Sequence, residues 1–146
     1  MINDQIHVTG QLGIVLRDEH GHVKEERQHP NLVVTVGKAF IAARMKATGA
    51  PNEMSHMAVG TGTSAAADAN TTLGTESARV TVSSSVSGAV VTYTASFPAG
   101  TGTAALTEAG VFNASSAGTM LCRTVFPVVN KGASDSLAIT WTVTVG

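Results

Sequence analysis

Residues Leu137 to Gly146 alternate almost without fault. Leu137, Ile139, Trp141, Val143 and Val145 fall on one parity, and Thr140, Thr142 and Thr144 on the other. Successive side chains of a strand point to opposite faces, so the pattern specifies a strand with one apolar face and one hydroxyl-lined face. The apolar face, led by Trp141, reads as the core wall of a β-sandwich. The threonine face is left to pack on a second sheet, a subunit or another protein.

The same grammar recurs upstream. Ile6, Val8, Leu12, Ile14 and Leu16 alternate with polar or small residues, with Gly10 and Gly13 as points of bulging or close packing. Asp18-Glu19-His20-Gly21 reads as a turn, and residues 23–28 (VKEERQ) as a polar strand whose charges protect an exposed edge. Residues 54–59 form a short strand. Ala78, Val80, Val82 and Val86 then alternate with Arg79, Thr81, Ser83 and Ser85, and Ser87-Gly88 turns the chain into Ala89, Val91, Tyr93, Ala95 and Phe97. That spacing predicts one long hairpin. A second hairpin joins residues 106–114 to residues 120–129 about the turn at 115–118, with Pro127 bending the return strand or marking an edge.

His29-Pro30-Asn31 breaks the early strand, and a single helix follows near residues 35–47. Phe40, Ile41, Arg44 and Met45 make its partial apolar stripe, Lys38 and Lys46 lie toward water, and Gly49 with Pro51 stops it. The fold class expected is mainly β: a jelly-roll-like β-sandwich of about seven to eight strands with that helix plugging one side or end. The 146 residues make one domain, 1–146, with residues 1–5 as an N-terminal arm. Its core is assigned to Trp141, Phe112, Phe126, Tyr93, Phe97 and Phe40.

Charge excludes one class of partner. The nine lysines and arginines are scattered and the net charge is −1, so no basic patch for direct nucleic-acid contact is expected. The start has neither a basic leader nor an apolar h-region, and no run approaches a membrane span, so synthesis and folding in a cytoplasm are expected. Cys122, the single cysteine, excludes a disulfide within the chain and reads as a small buried hydrophobe in TMLCRTVF. Only 13% of residues are charged. A surface this rich in Ser, Thr, Ala and Gly suits packed, multi-copy assemblies.

Catalytic and cofactor motifs do not accompany the strands. Gly60-Thr61-Gly62-Thr63 lacks the lysine and following helix of a phosphate loop, and a second Gly-Thr-Gly-Thr recurs at residues 100–103, so both read as structural loops. His20 and His22 straddle a turn without a predictable third ligand, and His7, His29 and His56 are scattered. No nucleophile elbow occurs, and Glu53, Asp68, Glu76, Glu108 and Asp135 show no spacing that converges on a cleft. No enzyme, cofactor or metal site is expected. One pair carries weight: Glu108 and Arg123 are the only charges in two strands joined by a tight turn. Antiparallel pairing about Ser116 puts Glu108 near residue 123 or 124, which predicts a structural ion pair within the chain, in preference to a subunit contact.

The segments LTEAGVFNASSAGTMLCRTVFPVVNKGASDSLAITWTVTV and MAVGTGTSAAADANTTLGTESAR resemble small proteins of tailed bacteriophages. The pattern is Glu-Ala-Gly-hydrophobic-Phe, a turn, Arg-Thr-x-Phe, a loop, then a Leu-x-Ile-x-Trp strand. Over residues 31–145 it is most similar to the capsid cement, or decoration, proteins of short-tailed phages such as those infecting Bordetella. The resemblance implies a jelly-roll-like domain on the capsid exterior that bridges neighbouring major capsid subunits as a dimer or other small oligomer. It supplies no catalytic residues. Similar hairpins in tail-fibre and collar proteins make a tail-fibre, collar or baseplate module the alternative. An N-terminal strand, or the charged edge at 23–28, would add to a sheet of the capsid protein.

Overall fold

The computed structural model describes residues 5–47 and 49–146. Among these described residues ten strands are present: β1 (Val8–Arg17), β2 (Val23–Pro30), β3 (Leu32–Val33), β4 (His56–Gly60), β5 (Glu76–Thr81), β6 (Ser83–Ser87), β7 (Val90–Phe97), β8 (Ala104–Phe112), β9 (Met120–Lys131) and β10 (Ser136–Val145). They form two antiparallel five-stranded sheets, ordered β2-β1-β10-β7-β6 (sheet I) and β3-β9-β8-β4-β5 (sheet II). The expected β-sandwich is therefore built from more strands than the seven or eight read from the pattern. Of the expected arm, residues 1–4 lie outside the described residues and Gln5 is exposed.

The extra strands arise where the chain changes sheets. At Pro30 strand β2 leaves its pairing with β1, and two residues later β3 pairs with β9 of the opposite sheet. Proline brings no N–H to a ladder, so it suits this exit. The second crossing overturns the long hairpin expected over 76–97. Residues 76–81 pair with β4 in sheet II, whereas residues 83–87 pair with β7 in sheet I. Val82 sits at the corner and donates its N–H to the Ser55 carbonyl (2.9 Å). Val80 and Val82 keep one parity across that corner, so the change of sheet is not marked where it occurs.

The terminal strand β10 lies at the centre of sheet I, between β1 and β7, with Leu12, Trp141 and Tyr93 in one row. Its odd positions face the interior, where Trp141 is fully buried among Leu12, Ile14, Phe97, Val111 and Phe126 of the main core cluster. Five of the six expected core aromatics belong to that cluster. Phe112 is buried too, but on the opposite side of sheet II, with Val34, Ala58, Leu73 and Met120. Ordinary alternation puts it there, because Glu108, Gly110 and Phe112 share the parity that faces away from the core while Ala109 and Val111 face inward.

Helix α1 (Thr35–Met45) packs against β9 and stops two residues short of the expected end. Lys46 turns into extended backbone, and its N–H returns to the Ala43 carbonyl (3.1 Å). The apolar stripe is also narrower than expected: Phe40 and Gly37 are buried, while Met45 is 85% exposed. Gly37 is what permits the contact, because a Cβ there would overlap the Leu121 carbonyl.

Candidate interaction surfaces

Glu108 and Arg123 do form an ion pair, with Nη2 3.0 Å from Oε1 and side chains 0% and 2% exposed. The register differs by a step from that expected. Glu108 stands opposite Val125 and Arg123 opposite Gly110, so the pair is diagonal on one face of sheet II. The step comes from the irregularity between Val111 and Phe112, where Leu121 is the extra residue on β9 between Met120 and Cys122. This face points away from the sandwich core, and the segment from Thr61 to Thr75 closes over it.

Both charges hold that segment by its backbone. Glu108 Oε2 accepts the amides of Gly62 (2.6 Å) and Thr75 (2.7 Å), and Oε1 accepts that of Gly74 (2.7 Å). Arg123 donates to the Ser64 carbonyl and to Asn70 Oδ1, each at 3.0 Å. Burial by itself would raise the Glu108 pKa, but the three amides and the Arg123 guanidinium together hold it below the usual carboxylate value. The first Gly-Thr-Gly-Thr motif thus serves an anion after all, one supplied by the chain itself. A Cβ on Gly62 would overlap the Glu108 carboxylate, which explains the glycine. Nothing in local spacing announces these contacts, since they join segments more than thirty residues apart.

Arg79 is a structural residue that sequence patterning missed. It pairs with Glu76 (2.7 Å), donates to the carbonyls of Ala114 and Ala117 (2.9 Å each), and lies 3.9 Å above the Phe112 ring. One side chain thereby fastens edge strand β5 to the β8–β9 turn. Arg27 does similar work at the other side of the sandwich, reaching from β2 to the Pro127 and Val128 carbonyls of β9 (2.6 and 3.1 Å). Strand β2 is the edge of sheet I, as its charges indicated.

The outer face of sheet I has a different character. Register places Gln11, Thr142, Thr92 and Ser85 in one row across β1, β10, β7 and β6, and Gly13, Thr140, Thr94 and Ser83 in the next. A third row holds Thr9, Thr144, Val90 and Ser87. These rows contain no charged residue across four strands. Most of the side chains are short hydroxyls, and half are threonines with stiff, β-branched stems, so little side-chain freedom is lost if a partner covers them.

The β6 side of the sandwich is open. There a groove of about 490 Å³ runs between the inner face of β6, β7 and β10 and helix α1. Phe40, Met54, Leu121 and Tyr93 form its floor, and Met45, Val86 (72% exposed) and Val145 its rim. Tyr93 sits at the base, its hydroxyl pKa pushed up to about 12 by burial and by the nearby Cys122 and Glu53.

The remaining candidates are placed apart. His20 and His22 lie on the exposed turn organised by Asp18, whose Oδ1 accepts both their amides at 2.9 Å. His56 bonds its neighbour Ser55, His29 stacks on Phe126, and His7 is exposed beside the chain end. Among the described residues no three His, Cys, Asp or Glu side chains are grouped for a metal, and no helix is long and apolar enough to cross a membrane. Cys122 is fully buried, and burial raises its thiol pKa far above the ordinary value. Asp135 fastens the loop before β10 by accepting Lys24 Nζ (2.9 Å) and the Gly132 amide (2.7 Å).

Arrangement and bonding define a two-sheet antiparallel β-sandwich whose buried charges are spent on holding its own loops. Comparison with protein-family models, curated proteins and solved structures returns no match to this chain.

Proposed function

We propose that this chain is a structural virion protein that binds the outer surface of a phage capsid and cements neighbouring major capsid subunits, stabilising the mature shell. The observation that carries this reading is the uncharged, hydroxyl-lined face of sheet I, registered across four strands. Such a face offers donors and acceptors to another protein's surface without the cost of desolvating charge. A protein that binds the mature shell better than its precursor biases the shell toward maturity by mass action. Each contact can be weak, because many copies act on one lattice. The role is non-catalytic, uses no cofactor or metal, and makes no direct contact with nucleic acid or membrane. The chain works as a homo-oligomer, a dimer by preference, on the capsid exterior after synthesis in the host cytoplasm.

The test is occupancy. Purified protein is mixed with expanded shells that lack it, the shells are sedimented, and bound copies are counted by gel densitometry. A copy number comparable to that of the major capsid protein supports the reading. Thr92→Arg combined with Thr142→Arg should abolish binding while leaving the melting temperature within a few degrees. Failure to bind, or a count of only a few to roughly tens per virion, overturns it, and the low count favours the tail-fibre, collar or baseplate alternative.

A further inference from the structure

We infer that β6 is the edge through which two copies of this chain pair, joining their first sheets into one continuous sheet about a two-fold axis. Strand β6 bonds β7 on one side only, so among the described residues the backbone groups of its other side have no strand partner. Three edge strands are longer than two residues, and they differ in charge. Strand β2 carries Lys24, Glu25, Glu26 and Arg27, and β5 carries Glu76 and Arg79. Strand β6, Ser83 to Ser87, carries none.

That difference selects a second copy as the occupant. In an isologous contact each residue near the axis meets its own counterpart, so a charge there would face the same charge. A serine-rich edge brings no such repulsion. Antiparallel pairing about Ser85 would set Ser84 of each copy opposite the other's Val86, on the inner face of the joined sheet. The two apolar grooves would then lie side by side, and the exposed Val86 side chains would be covered between them.

The contact is small. Five residues of backbone and the groove rim offer on the order of half the ~800 Å² per partner of a standard stable interface. The dimer is therefore concentration-dependent in free solution and reinforced where copies are held close. This inference deepens the dimer element of the proposed function and rests on it. The two can fail separately, because the shell reading is scored by occupancy and this one by mass and cross-linking without shells.

The experiment compares wild type, Val86→Lys and Ser85→Cys. Light scattering after gel filtration at about 100 µM should give twice the chain mass for wild type and the single-chain mass for V86K. V86K keeps its fold by circular dichroism, since Val86 is already exposed. Under mild oxidation S85C should form a disulfide-linked dimer, whereas Glu26→Cys on the opposite edge should not. The buried Cys122 leaves the background low. A monomeric wild type, a V86K protein that remains dimeric, or S85C cross-linking no faster than E26C would each overturn the inference.

Discussion

The amide of Gly62 lies 2.6 Å from Glu108 Oε2, although 46 residues separate the two in the chain. Any side chain at 62 would occupy the space of the carboxylate. Gly62→Ala should therefore unpin the 61–75 segment and cost about 2–3 kcal/mol, measured by urea denaturation. Gly13→Ala is the control. Its Cβ would meet only the Thr140 carbonyl at 3.7 Å, an ordinary contact, so its effect should stay within about 1 kcal/mol.

Arg123→Met tests the pair itself. Removing the guanidinium leaves Glu108 buried with its amide donors but without a countercharge, and also frees Ser64 and Asn70. Breaking a buried pair in this way costs about 3–5 kcal/mol. Hydrogen exchange should show the amides of residues 62–75 losing protection first. Unchanged stability and unchanged exchange would mean that the pair neither holds the loop nor sets the β8–β9 register.

Gly37 offers a prediction of sign. In an exposed helix interior, glycine to alanine stabilises by about 1 kcal/mol through propensity alone. Here the new methyl would overlap the Leu121 carbonyl, so α1 must lift from β9 and Phe40 partly leaves the core. Gly37→Ala should destabilise by about 1–3 kcal/mol, read as a lowered thermal midpoint. A raised midpoint would show that the helix is not seated as described.

Stability should fall on both sides of neutrality, for different groups. Burial, with Arg27 nearby, lowers the pKa of His29 from its ordinary 6.5, so protons bind the unfolded chain first and stability declines as pH drops below about that value. Glu108 and Asp135 have pKa values below their ordinary 4.5 and 3.8. Their contribution is complete above those ordinary values and is lost as pH falls through the lower, folded ones. Tyr93 acts in reverse. Raised from 10.0 to about 12, it contributes fully below pH 10 and loses that contribution between 10 and 12. Urea titrations across pH should show the alkaline loss reduced in Tyr93→Phe, the remainder coming from the buried Cys122 thiol, whose pKa burial also raises.

Much of the architecture was legible because strand alternation is a local property. Leu137 to Val145, Leu12 to Leu16 and Val91 to Phe97 each declare an inner and an outer face within a few residues, and all three are strands with the expected side inward. Corners carry no such mark. Val82 continues the parity of Val80, so one strand and two strands on different sheets look alike in sequence. The Glu108–Arg123 pair was legible because a tight turn brings β8 beside β9, but the extra residue Leu121 on β9 moved the register by a step.

The chain by itself thus determined a two-faced terminal strand, a β-sandwich around Trp141 and one ion pair on a hairpin, since each follows from side-chain periodicity or a short turn. Tertiary structure decided the rest. It chose which loop the pair would hold, which edge would be left without charge, and that the threonines of β10 would align with those of β7 and the serines of β6. Those relationships depend on strand order and on contacts between residues far apart in the chain, and no local pattern encodes which distant strand becomes a neighbour.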